Sequence, residues 1–450
     1  MKTLSNLARQ ALSRLVVDDP EIDFRIKSGI EVNRKGFAEI SLVDREGQEI
    51  EAAEITYRHL KHEYQFGCNA FMLEQFQDPE RNAGYKEMFS DIFNLAVVPF
   101  YWNALEPEPG KYRFGKDSLN IYRRPPVDLV LEFCEEYNIT PKGHCLVWQM
   151  AAPSWVPNNK AEMERCLEKR IQVIAERYAS KISIWDVCNE ALQWKPHVHS
   201  IALPDEHMEK AFKMAAKYFP ESSQLIYNEG PWVSWNDFHG DYTPPYLLAR
   251  HLLNSGLRVG GFGLQYHMAF YGDNFQQLAD WSKQFSNQWL LFAHMDIYGK
   301  LGLPLNVSEI TIPSQDDALG DGERFQELVT EKLYRIWFSH PATEGIVWWN
   351  LVDNTAFVDP MDSNNNQGEN RYLGGLLKSD LKPKRSYRVL KRLIKEEWHS
   401  SGTLNYQKGV ANKFHGFYGD YELKIKTNLG EFTHNVSLSK KADNMYCIGC

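Results

Sequence analysis

A chain of 450 residues is long enough for one large domain with an appendage, or for two or three ordinary domains, so core volume is not limiting. Its 43% hydrophobic and 24% charged residues are ordinary for a globular protein, while a formal charge of −9 with no dense Lys/Arg run excludes a general attraction for nucleic acid or an anionic membrane. The 13 Trp, 22 Tyr and 24 Phe supply many flat faces with polar tips, useful in a core and equally useful under a ring-shaped ligand.

In chain order, residues 1–23 read as a short amphipathic helix with Leu4, Leu7, Leu12 and Leu15 on one side. They lack the uninterrupted apolar core of a signal peptide, and no run of about 18 apolar residues occurs, so a cytoplasmic location is expected. Residues 30–57 look β-rich: residues 31–33 and 38–43 alternate, and residues 44–47 make a turn. From about residue 60 short apolar runs alternate with longer amphipathic segments. The runs centre on Phe66, Val98, His144, Asp186, Ile226, Gly263, Val307 and Val347. Between them, Met163, Leu167, Ile171, Ile174 and Tyr178 recur at helical spacing behind an Asn159 cap, and Phe325 to Trp337 repeats the pattern up to His340 and Pro341. Eight such units predict a (β/α)8 TIM barrel over residues 60–398. A doubly wound open sheet is the rival, but no Gly-rich phosphate turn follows the first run.

Beyond Trp398, with a boundary at Ser401 and Gly402, residues 421–427 and 431–438 alternate as strands joined by a tight turn. Isolated hairpins are marginal, so residues 399–450 are expected to pair with strands of residues 1–59 in a small accessory β layer. Seven cysteines, an odd number, suit reduced thiols, and the Cys447/Cys450 pair has half the ligands of a metal site and reads as a free tail. Residues 362–370 read as a polar loop.

Two of the barrel runs carry an acid at the carboxyl end: Glu190 after the fourth and Glu309 in the seventh. In a barrel these ends share one cavity, and two carboxyl groups about 5 to 5.5 Å apart cleave a glycosidic bond with retention. Glu190 is assigned as acid/base and Glu309 as nucleophile. Asn189 is placed to meet a sugar 2-hydroxyl, His144 and His267 to hold Glu309 ionised and contact hydroxyls, and Gln265 shares the strand face of His267. Trp148, Trp348 and Trp349 end the third and eighth runs, where they suit a stacking wall. Residues 193–207, with His197, His199 and His207, have no fixed helical register and read as a rim loop rather than a metal site.

Residues 60–397 resemble glycoside hydrolase family 10, best known for endo-β-1,4-xylanases. The resemblance is carried by Phe66 and Gly67; Trp102, Glu106 and Gly110; Gly143, His144 and Trp148; Trp185, Asn189 and Glu190; Tyr227, Asn228 and Glu229; Gly261, Gln265 and His267; Ser308, Glu309 and Ile310; and Trp348 with Gly375, in that order. It implies retention, no metal or organic cofactor, and sugar contacts from Tyr101, Trp102 and Asn228. The partner it implies is a β-linked, chiefly xylo-, oligosaccharide. Val97, Val98 and Tyr101 stand where the family presents Glu-Asn and Lys to the −1 and −2 sugars, Gln149 stands for a histidine and Ser308 for a threonine. These departures leave open a different or decorated sugar, exo action, or, in another class, a carbohydrate-binding protein without turnover.

Overall fold

A computed structural model describes residues 2–192, 203–268, 286–358 and 368–450. Two compact units emerge: one of residues 1–17, 66–337 and 342–388, the other of residues 18–65, 338–341 and 389–450.

The strands in chain order begin with β1 (Lys35–Val43) and β2 (Ala52–His62). Next come β3 (Gln65–Asn69), β4 (Leu95–Pro99), β5 (Thr140–Val147), β6 (Ile184–Asn189), β7 (Gln224–Glu229), β8 (Gly261–His267), β9 (Leu305–Thr311) and β10 (Thr343–Trp348). These eight close into a parallel barrel in which neighbours are consecutive from β3 to β10 and β10 closes against β3. All eight runs read from the sequence are barrel strands. Their residues are buried almost without interruption, because helices cover the outer face while side chains fill the inner one. The helix Lys160–Tyr178 starts where expected, Asn159 accepting from the N–H groups of Ala161 and Glu162.

β11 (Ser401–Gln407), β12 (Lys413–Phe417), β13 (Gly419–Thr427), β14 (Gly430–Leu438) and β15 (Met445–Gly449) complete the order. Strands from both ends of the chain do pair, in two sheets rather than a single layer: β12-β1-β15 and β11-β2-β13-β14. Alternation fixes their register: Ala38, Ile40 and Leu42 of β1 and Tyr421, Leu423 and Ile425 of β13 all point into one shared core. Ser401 and Gly402, where the texture of the sequence changes, open β11.

Two terminal readings need correcting: Cys447 and Cys450 are no free tail, since β15 pairs with β1 and Cys450 is buried in the shared core, and the N-terminal reading changes as well. Residues 1–23 hold two helices, Asn6–Leu12 and Pro20–Arg34, and residues 31–33, expected as strand, are helical. Asp19 caps the second helix and Pro20 begins it, a start signal that overrides the short alternation of residues 31–33. Of the rim and polar loops, His197, His199 and residues 362–367 lie outside the described residues; His207 opens the helix His207–Tyr218.

Three histidines meet in the sheet-rich unit: the His59 ring lies 4.4 Å from His62 and 5.6 Å from His399. Burial first, then the charges of His399 and Lys395, push His59 down to about 4, and burial puts His62 well below the usual range. An unfolded histidine takes its proton near 6.5. The unfolded state therefore binds more protons between about 6.5 and about 4, and stability falls as pH falls through that window, by on the order of 3 kcal/mol for His59 alone. Urea titrations should place the loss there, and His59→Phe should flatten it; equal stability at pH 7 and pH 4.5 would contradict this account.

Candidate active site

Glu190 and Glu309 meet across the barrel mouth. The side-chain amide of Gln265, on β8, donates to Glu190 Oε1 at 2.9 Å and to Glu309 Oε1 at 3.1 Å. One oxygen of each carboxylate is therefore held within the sum of those distances, about 6 Å, of the other, so the two carboxyl groups face each other closely across the same side chain. Glu190 follows β6 with φ 54, a left-handed conformation rare for a side chain of its size, held by its N–H donating to Asn228 O at 2.9 Å.

The two acids have different settings. Burial first, and then the charge of Glu309, raise the Glu190 carboxyl above its ordinary value, against the pull of Gln265 and of Trp148, whose Nε1 donates to Oε2 at 3.1 Å. Glu309 is only 4% exposed and is ringed by donors: Asn228 Nδ2 at 2.9 Å, Gln265, and His267 Nε2 at 3.2 Å. Burial disfavours a charge on His267, but the hydrogen bond and charge of Glu309 outweigh it and raise the imidazole. Its other nitrogen, 2.8 Å from Thr311 Oγ1, fixes the ring. Glu190 is biased toward holding a proton, while Glu309 receives hydrogen bonds from Asn228 and Gln265 and has His267 Nε2 3.2 Å away.

Asn189 Oδ1 accepts from Asn228 at 2.7 Å and Gln265 at 3.2 Å, which turns its NH2 toward the cavity. His144 Nδ1 is 2.8 Å from Asp186 Oδ2, where the carboxylate can only accept, so Nδ1 donates to it, and Nε2 lies 3.8 Å from Glu309. Asp186 also lies 3.0 Å from Lys142 Nζ, close but off the hydrogen-bonding direction, with both side chains 1% exposed. These two outweigh the effect of burial and lower the Asp186 carboxyl.

A sequence profile described as "Glycosyl hydrolase family 10" matches residues 63–392. The chain belongs to glycosyl hydrolase family 10. Among curated proteins, this family 10 chain is 25% identical over 366 residues to endo-1,4-beta-xylanase 2 of Arabidopsis thaliana, covering 80% of the chain but 30% of that protein. It is 23% identical over 413 residues to the anti-sigma-I factor RsgI6 of Acetivibrio thermocellus, covering 90% of the chain and 47% of the relative. The chain thus spans less than half the length of either. Among solved structures, xylanase 10B from Thermotoga petrophila in complex with xylobiose matches with a TM-score of 0.57 at 23% identity, over 74% of this chain and 95% of that one, a likeness of fold.

Around the family 10 pair, the walls differ in part from expectation. Trp148 and Tyr101 are in place: the Tyr101 ring lies 5.5 Å from His144 and 5.4 Å from Trp148. Trp348 is fully buried and donates to Gly374 O at 3.0 Å, while Trp349 stands 5.4 Å from His144 and 6.1 Å from His267. Successive strand side chains point to opposite faces, so only one of the two can line the cavity. Trp102 turns away from the pair, donating to Glu106 Oε2 at 2.9 Å and meeting Trp155 edge-on. Beside Glu190 a cavity of 380 Å³ opens between Trp148, Gln149 and residues 203–207.

Asp186, Lys142 and Glu229 were not singled out from the sequence as parts of this site. The first two had a signal: a charged residue inside an apolar barrel run, two positions before His144 or at mid-strand, needs a partner inside the barrel. Glu229 is fully buried and accepts from Tyr227 Oη at 2.6 Å, Gly230 N at 2.8 Å and Leu192 N at 3.1 Å, tying the chain after Glu190 to β7. Burial pushes its carboxyl up to about 7. Among the described residues no group of three or more His, Cys, Asp or Glu could hold a metal ion.

Proposed function

We propose that this chain is a retaining glycoside hydrolase that cleaves β-1,4-linked xylo-oligosaccharides by double displacement. The observation that supports this most is the single Gln265 amide shared by Glu190 and Glu309, which holds the pair at a separation suited to direct attack. Glu190, as the acid, gives its proton to the glycosidic oxygen while the bond from that oxygen to the anomeric carbon breaks and Glu309 bonds to the carbon. Glu190, now ionised, takes a proton from water; the water oxygen attacks the same carbon and Glu309 leaves. The NH2 of Asn189 meets the sugar 2-hydroxyl, a contact that strengthens as positive charge develops at the reacting carbon. The 380 Å³ cavity on the Glu190 side receives the leaving group. The xylanase names of relatives supply the sugar.

Glu190 must be protonated for the first step, so kcat/KM should fall as pH rises through its raised pKa. Glu190→Gln should remove that alkaline limb. It should also slow cleavage of a xylo-oligosaccharide by about 10²- to 10⁴-fold, and slow an aryl xyloside with an acidic phenol leaving group far less. An unshifted alkaline limb in the variant would assign the acid elsewhere.

The likeness to an anti-sigma factor motivates a rival reading, in which the barrel binds sugar without turnover. Product analysis on mixed β-linked oligosaccharides separates the two: binding with no release of shorter products supports the rival.

A further inference from the structure

Between β4 and the helix Val127–Glu136 the chain makes a long excursion that ends in two adjacent arginines, Arg123 and Arg124. Arg123 is held at φ 60 and is buried; its Nη1 donates to Asn350 Oδ1 at 2.8 Å and to Thr355 O, and Asn350 in turn donates to Glu369 Oε2 at 3.2 Å. One carboxylate therefore serves Arg123 through a relay. Arg124 has no acidic partner among the described residues. Its guanidinium lies 3.8 Å over the Tyr101 ring and 5.4 Å from the Phe71 ring, and its one hydrogen bond among the described residues runs from Nη1 to Arg123 O at 2.9 Å. Arg124 keeps part of its surface exposed, and the burial of the rest is the main cause pushing it down to about 10, with no acidic side chain beside it among the described residues.

That arrangement is costly as pure structure. A half-buried cation stacked on aromatic rings with no acidic partner among the described residues is placed to meet an anion from outside, and a guanidinium fork matches a carboxylate with two parallel hydrogen bonds. A left-handed backbone at Arg123 is a further cost accepted to bring both side chains inward. The position is informative too. Tyr101, on which Arg124 stacks, is also packed against His144, whose Nε2 lies 3.8 Å from Glu309, and against Trp148, which donates to Glu190. Arg124 thus stands beside the reacting centre on the face formed by Phe71, Tyr101 and Trp349, away from the cavity at residues 203–207 that takes the leaving group.

We propose that Arg124 is a specificity-determining residue that receives a carboxylate carried by the retained part of the sugar chain, so that this site prefers uronic-acid-bearing β-linked oligosaccharides over neutral ones. This rests on the glycosidase reading for turnover, but the recognition can be measured without it. The catalytic pair itself repels an anionic substrate, and Arg124 supplies the local charge that offsets this. A neutral hydroxyl in the same place gains a weaker, uncharged bond.

The test uses glucuronic-acid-branched xylo-oligosaccharides and the same molecules with the carboxyl group reduced to a primary alcohol. Wild-type kcat/KM should favour the acidic member by about tenfold or more, Arg124→Gln should bring the ratio close to one, and Arg124→Lys should keep part of it. Calorimetric titration of both ligands into Glu309→Ala should give a matching ratio of Kd values. Ratios near one in wild-type kcat/KM and in the Glu309→Ala titration overturn the proposal whether or not the Arg124 variants fold, as does a preference that survives in Arg124→Gln. Turnover of neither ligand by the wild type would count against the glycosidase reading, and the Kd ratio would then decide the role of Arg124 by itself.

Discussion

Glu309→Ala should lower hydrolysis of a β-linked xylo-oligosaccharide by on the order of 10⁴-fold or more, the scale expected when a covalent nucleophile is lost. The argument is geometric as well as chemical. Asn228, Gln265 and His267 all direct donors at this one carboxylate, so its removal vacates a space already lined for an anion. A small anion such as azide should enter that space and attack the anomeric carbon from the face Glu309 occupied. One displacement in place of two inverts configuration, so the rescued product should be the α-glycosyl azide, readable from the anomeric proton coupling in NMR. In Glu190→Ala the first displacement by Glu309 still occurs and azide replaces water in the second, so the product should be the β-azide. Unchanged activity in Glu309→Ala, or β-azide from that variant, would remove Glu309 from the nucleophile's role.

Asp186→Ala should be the most damaging substitution to the stability of the barrel among those that leave its apolar core intact. Asp186 is 1% exposed and faces both the Lys142 ammonium and the His144 ring. Removing it leaves a buried cation with no counter-charge, a change that costs about 3–5 kcal/mol. Most of that loss arises from the orphaned charge rather than from the pair itself. Adding Lys142→Met should therefore restore much of the stability, and a double-mutant cycle by urea unfolding measures how much. Because the folded-state pKa of Asp186 is lowered, its contribution is present above the unfolded value near 3.9 and disappears as pH falls through the folded value. The single variant should also lose activity beyond its stability defect, since His144 no longer has the acceptor that keeps its proton on Nδ1. A loss below about 1 kcal/mol in Asp186→Ala would show that Lys142 sheds its charge inside the barrel at little cost.

The contrast between these two residues bears on how the chain can be read. Glu309 was visible in the sequence because it sits in a strand-like run whose carboxyl end must face the barrel mouth, and the same logic found Glu190, Asn189, His144, Gln265 and His267. Asp186 stands in the same run as Glu190 and was passed over as a strand centre, although a carboxylate amid Ile184, Trp185 and Val187 has to be partnered. At the N-terminus, three alternating residues suggested a strand where the Asp19 cap and Pro20 had already started a helix that runs to Arg34. A local signal at a helix start carries further along the chain than a short alternation does.

What the sequence determined by itself was periodicity and order: eight buried runs separated by amphipathic helices, alternating strands at both ends, and acids at the ends of two barrel runs. Those follow from neighbours a few positions apart, which any extended or helical backbone brings into fixed relation. Tertiary structure alone decided which of Trp348 and Trp349 lines the cavity, that one amide touches both carboxylates, that Trp102 faces Glu106, and that the terminal strands form two sheets around one core. It also decided that Arg124 lies on Tyr101 with no acidic partner among the described residues. Each of these depends on segments tens to hundreds of positions apart closing at distances of a few ångströms, and the pattern within a single segment does not encode which distant side chain will stand opposite.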